Sequence, residues 1–202
     1  MHKFAPLALA IAATTAAPAV AQEFYFGGGL AYSSGTSDNV TGGGGESDLS
    51  AGMLTLLVGQ RFAAGSGFWG WETSADLSFG AETENTDNGF PCSDGAEGSY
   101  LCSQDATLRL VGIYGMPVGQ GTELFGSLGV GMMTGDFADS SSSVESASTY
   151  GLTVGAGVNV AVGNELTARG EVIYDSFTNT TQDEYSSDYK GTTFRLVLVR
   201  KF

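Results

Sequence analysis

Few residues in this chain could do chemistry, and their spacing narrows what that chemistry could be. The only histidine is His2, in the first few residues. A hydroxyl nucleophile needs an adjacent base near neutral pH, so Ser-His and Asp-His arrangements are excluded from the rest of the chain. Carboxylates and guanidinium groups remain. Glu72 and Asp76 stand in FWGWETSADLSFGA, residues 68–81, where Trp69, Trp71, Ala75, Leu77 and Phe79 share one parity and Glu72, Ser74, Asp76 and Ser78 the other. A strand has a side-chain period of two, so both carboxylates face one side. Paired carboxylates could act as acid and base, but their better reading is as partners for cations. Arg109, Arg169 and Arg195, with Glu171, hold the matching parity of other segments. Buried charge is tolerable when paired. Glu72, Asp76, Arg109, Arg169, Glu171 and Arg195 are therefore expected to join one internal ionic network, with Asp76–Arg109 and Glu171–Arg195 as pairs from neighbouring strands. No catalytic residue, cofactor site or metal site emerges. The glycine runs at 27–29 and 42–45 are not followed by the Lys-Ser/Thr of a phosphate loop. The acidic stretch AETENTDNGFPCSDGAEG does not have calcium-loop spacing.

The elements that must position these residues are strands. Eight segments alternate: near 23–33, 51–62, 68–81, 105–116, 123–133, 149–162, 165–175, and FRLVLVRKF at 194–202, begun at about Thr192. None of the apolar runs after residue 21 approaches the length of a transmembrane helix. Charges inside the segments share one parity: Arg61, Glu72, Asp76, Arg109, Arg169, Glu171, Arg195 and Lys201. The other parity is Leu, Val, Ala, Gly and aromatic, apart from Arg200. Connections alternate long and short without a break. The long ones, such as SGTSDNVTGGGGESD and SFTNTTQDEYSSDYK, are polar and acidic; the short ones are AAGSG, PVGQGT and GN. Tight turns at one rim and loops at the other are what a barrel spanning a bilayer requires. The apolar-face aromatics sort in the same way. Phe24, Phe62, Trp69, Trp71, Tyr114 and Phe202 fall near the short turns, and Tyr32, Phe79, Tyr150, Tyr174 and Phe194 near the long loops, as two interfacial girdles would. The expectation is an all-β chain, an eight-stranded antiparallel up-and-down transmembrane β-barrel with long acidic extracellular loops.

Composition agrees. Formal net charge is −14, and charged residues are only 15%. That excludes nucleic-acid binding and basic-patch docking to anionic surfaces. Residues 1–21 read as a cleaved signal peptide: Lys3, a short apolar stretch, then Ala19-Val20-Ala21 before Gln22. Residues 22–202 form the barrel domain. In an exported chain, Cys92 and Cys102 read as a loop disulfide. Eight strands leave an interior that side chains can fill, although inward glycines such as Gly129, Gly155 and Gly157 leave space for internal water. The last strand must pair with the first to remove both edges, which explains a C-terminus that ends on an ordered aromatic.

The signal peptide, eight strands and terminal Phe resemble the small outer-membrane barrels of Gram-negative bacteria, of the opacity-protein and OmpA-transmembrane-domain type. The resemblance covers the whole chain after the leader. It implies an outer-membrane location with periplasmic termini, contact with outer-membrane lipid and lipopolysaccharide, and a monomer. It also implies that the barrel-assembly machinery reads Phe194, Leu196, Leu198 and Phe202; Arg200 departs from the usual apolar residue there. The function this supports is a non-enzymatic structural or surface-interaction role, porin-like in shape and placed as a surface antigen would be. A narrow low-conductance channel for small solutes or ions is the alternative. The acidic loops read equally as a site for an extracellular ligand or divalent cations and as a solvated, variable surface.

Overall fold

The computed structural model describes residues 22–39, 46–85, 100–101, 103–138, 144–180 and 186–202. The proposed leader, Cys92 and Cys102 lie outside the described residues. Nine strands follow in order: β1 (Gln22–Asn39), β2 (Glu46–Ala64), β3 (Gly67–Asn85), β4 (Tyr100–Leu101), β5 (Ala106–Gly119), β6 (Thr122–Ala138), β7 (Val144–Ala161), β8 (Leu166–Thr180) and β9 (Ser186–Lys201). The two-residue β4 attaches to the far end of β6. The other eight form a closed, all-antiparallel barrel. Sequential neighbours pair, and β1 pairs with β9 to close the sheet. Closure leaves no edge strand, so every barrel strand is hydrogen-bonded on both sides.

The C-terminus is tied down as an ordered strand end should be. The Phe202 amide donates to the Phe24 carbonyl (2.9 Å), and the Lys201 amide to the Glu165 carbonyl (2.9 Å). The Phe202 ring stacks on Phe26 at 5.2 Å.

The strands run well past the alternating segments seen in sequence. β1 reaches Asn39 and β2 begins at Glu46, so most of the SGTSDNVTGGGGESD segment belongs to a hairpin, with Asp38 opposite Glu46. β9 likewise starts at Ser186 rather than near Thr192. Apolar alternation reports where lipid lies against the sheet, whereas backbone pairing continues beyond it. At the other end the turns are tight: Gly65 and Gly121 take positive φ (60° and 71°), a conformation glycine adopts freely. One bulge interrupts the β2–β3 ladder. Met53 pairs with Ser78 and Gly52 with Gly80, which leaves Phe79 as the extra residue on the outer face.

Candidate functional site

The interior of the barrel is the part of the molecule where side chains converge. Eight charged residues are buried among the described residues: Arg61, Arg109, Arg169 and Arg195 against Glu72, Asp76, Glu171 and Asp175. Four positive and four negative groups cancel, which is the condition for carrying charge out of water.

The six residues singled out from sequence all belong to this set, and the structure joins them. Arg109 pairs with Asp76, and its Nη2 lies 2.5 Å from Asp175 Oδ2. Arg195 reaches Asp76 Oδ2 (3.0 Å), Glu171 Oε2 (3.4 Å) and Glu72 Oε1 (3.9 Å). Arg169 pairs with Glu72 and donates from Nε to Asn159 Oδ1 (2.9 Å). Neutral donors complete the carboxylates. Thr55 Oγ1 donates to Asp76 (2.6 Å), and Tyr25 Oη donates to Glu72 (2.8 Å). The network therefore crosses the barrel from β3 to β8 instead of linking only strand neighbours. Asp175 was missed in the sequence because it ends its alternating segment, yet it shares the inward parity of Glu171 and Arg169. Glu123, which holds Arg61 at 2.8 Å, was missed for the same reason at the start of another segment.

The polar chain is continuous almost from end to end. Arg109 Nη2 donates to Thr193 Oγ1 (3.3 Å), Thr193 to Ser33 (3.4 Å), and Ser33 shares a hydrogen bond with Tyr189 Oη (3.3 Å). In the other direction, Asn159 Nδ2 donates to Glu123 Oε2 (3.3 Å).

Charge is only half of the filling. Tyr25, Leu57, Phe68, Val111, Ile113, Phe125, Val197 and Val199 pack together toward the short-turn end. Leu49, Met133, Phe177 and Tyr189 close the interior toward the long-loop end. Inward aromatics stand opposite glycines on neighbouring strands: Tyr25 opposite Gly59, Phe68 opposite Gly115, Phe125 opposite Gly157 and Phe177 opposite Gly151. The missing side chains make room for the rings. A Cβ on Gly157 would meet the Phe125 ring at 2.5 Å, and one on Gly131 the Phe177 ring at 2.7 Å.

The inward glycines named in the sequence lie against neighbouring groups. Gly155 lies against Ser127 Oγ and Glu171 Oε1, Gly157 against the Phe125 ring, and Gly129 against the backbone of β5. The guanidinium groups share these layers: Arg61 lies over the Phe68 ring (3.9 Å) and Arg169 over Phe125 (4.8 Å).

The outer face carries the residues expected at the assembly signal. Phe194, Leu196, Leu198 and Phe202 all point outward and are more than half exposed. Arg200, on the same face, reaches Glu165 at the short-turn rim (3.2 Å). Both girdles are outward as well, and Phe62 and Trp69 stack at 4.5 Å.

A barrel with an apolar exterior and a paired, filled interior agrees with what comparison finds. The profile of the outer membrane protein beta-barrel domain family matches residues 5–202, and the chain belongs to that family. It is a small outer-membrane β-barrel protein of the Gram-negative type. Outer membrane protein OprG from Pseudomonas aeruginosa is similar in structure at 18% identity, with 89% of this chain and 95% of that chain covered and a TM-score of 0.57. Neisserial surface protein A is similar at 11% identity, covering 89% and 97%, with a TM-score of 0.51. Ail, the attachment invasion locus protein of Yersinia pestis, was solved in complex with the heparin analogue sucrose octasulfate; it is similar at 15% identity, covering 90% and 99%, with a TM-score of 0.50. Identities this low speak for the fold alone. No curated protein sequence matches the chain.

Proposed function

We propose that this member of the family is a closed, non-enzymatic surface barrel whose role lies in its long extracellular loops, with both termini periplasmic. The filled interior carries the reading. Its charges cancel in cross-barrel pairs, and aromatic layers over glycines occupy both sides of them. A lumen packed in this way is a rigid support, and binding residues on such supports usually sit in loops. Acidic loops repel polyanions, so a ligand like the one in the Ail complex would be disfavoured here. Cationic partners or divalent cations suit them better.

The leader and the bridge belong to the same proposal. Cleavage before Gln22 and a Cys92–Cys102 disulfide would appear together in the intact mass of the purified protein. A chain still carrying residues 1–21, or two alkylatable thiols, would refute them.

One observation favours a second reading, a narrow ion channel: the polar chain from Tyr189 to Arg61, joined at mid-barrel by the 3.9 Å Arg195–Glu72 ion pair. Planar-bilayer recording separates the two. The closed barrel should give no steady openings, whereas reproducible ion-selective steps would establish the channel.

A further inference from the structure

The short-turn mouth of the barrel holds polar atoms that the internal ionic network leaves unused. A hollow of about 270 Å³ opens there, lined by Glu23, Arg61, Phe62, Phe68, Pro117 and Glu123 among others. Arg61 is the anchored member. Its guanidinium lies over the Phe68 ring at 3.9 Å, with the Tyr25 ring at 5.4 Å. The residue is only 5% exposed. Nη1 lies 2.8 Å from Glu123 Oε2, while Nε is buried with no hydrogen-bond partner among the described residues.

The two carboxylates of the hollow are each engaged through one oxygen. Arg61 and Asn159 both donate to Oε2 of Glu123, at 2.8 and 3.3 Å. Lys201 Nζ lies 3.2 Å from Oε2 of Glu23. Oε1 of each makes no hydrogen bond or ion pair with another described residue. One small hollow therefore combines two carboxylate acceptors with one guanidinium donor. The chain's own Gln22 is exposed on the outer face, its side chain accepting a hydrogen bond from Gln60 (3.2 Å).

We propose that this hollow takes the free N-terminus of a peptide chain. The α-ammonium would sit between Glu23 and Glu123, and the first carbonyl would accept from the Nε side of Arg61. The donor and acceptor pattern selects the occupant. An ammonium only donates and a carbonyl only accepts, and the two are adjacent in the first residue of any peptide. A free carboxylate would meet Glu23 and Glu123 as well as Arg61. A blocked, uncharged end would leave both carboxylates without a cation. A chain with a formal net charge of −14 also draws cations toward its mouth. The volume holds roughly nine groups the size of water, room for a first residue with a small side chain. The orientation proposed above would put this partner in the periplasm.

The test titrates the full-length mature protein, isotope-labelled at its arginine nitrogens, with alanyl-alaninamide in phosphatidylcholine nanodiscs. Nanodiscs leave both rims open, so the result does not depend on orientation in the cell. At about pH 6 the α-ammonium is protonated. The Nε–H resonance of Arg61, assigned by its loss in Arg61→Lys, should move saturably. Three controls each break the pattern: the N-acetylated dipeptide amide lacks the cation, ethylamine lacks the carbonyl, and alanine carries a carboxylate instead. Each should bind more weakly by about five-fold or more, the scale of one partly exposed ion pair. Glu23→Gln should weaken the dipeptide amide by about five-fold for the same reason. Ser66→Phe adds a ring to the hollow from its exposed turn and should abolish the shift. Absence of a saturable shift in the wild type would overturn the proposal. So would equal affinity for any of the three controls, or an unchanged affinity in Glu23→Gln.

Discussion

Arg195 and Arg200 occupy the same strand, five residues apart and on opposite faces. Arg195 is inside, its side chain 1% exposed, within reach of Asp76, Glu171 and Glu72. Arg200 is outside, 55% exposed, with Glu165 and the Phe202 ring beside it. The chemistry of the two groups is identical, so the difference lies in what water can do for them. Inside, removing one partner leaves a buried charge without its compensating group. At the rim, water and headgroups take over whatever Glu165 gives up. One strand thus carries a guanidinium that the fold depends on and another that it barely registers.

Three substitutions sharpen this contrast, each read as unfolding free energy in lipid vesicles. Arg109→Ala should cost most, about 3–5 kcal/mol, because it strands Asp175 and leaves Asp76 with Arg195 as its remaining cation. A loss below about 1 kcal/mol would mean that water reaches the layer, and inside and outside would no longer differ. Leu196→Arg places a charge on the lipid face, where the cost depends on depth. It should be about 2–4 kcal/mol if the position lies near the midplane. Tolerance there would break the assignment of that face to lipid. Arg200→Ala should cost the least, within about 1 kcal/mol, and a large loss would make the rim pair as important as the interior.

The alternation that sorts these faces was legible in the sequence, and so were the closing strand and the six network residues. Parity survives without knowledge of register, which is why Arg109 and Glu171 could be placed inside before any partner was known. What parity cannot supply is who meets whom across the lumen. Arg169 pairs with Glu72 from the far wall, and Arg195 serves carboxylates on β3 and β8. Inward aromatics were invisible for a related reason. Phe125 on a charged parity looks like an exception until Gly157 is found opposite it. Strand ends were misjudged because Thr36, Ser37 and Asp38 continue the ladder where lipid no longer imposes an apolar face. The roles of the loop residues were not legible, since acidic, glycine-rich composition fixes no geometry.

The central claim is that the inward face is sealed from water and lipid alike while the outward face meets lipid. Single cysteines at paired positions test it most directly: Ser74 and Ser127, both buried, against Ala75 and Leu128, which follow them on the outer face. Serine-to-cysteine replacement changes little volume, so the variants should fold. In lipid vesicles, a lipid-phase thiol probe should label positions 75 and 128 and spare 74 and 127, and a small water-soluble reagent should spare all four. Water-soluble labelling of position 74 or 127 would mean an open, hydrated lumen, and lipid-phase labelling of either would reverse the faces.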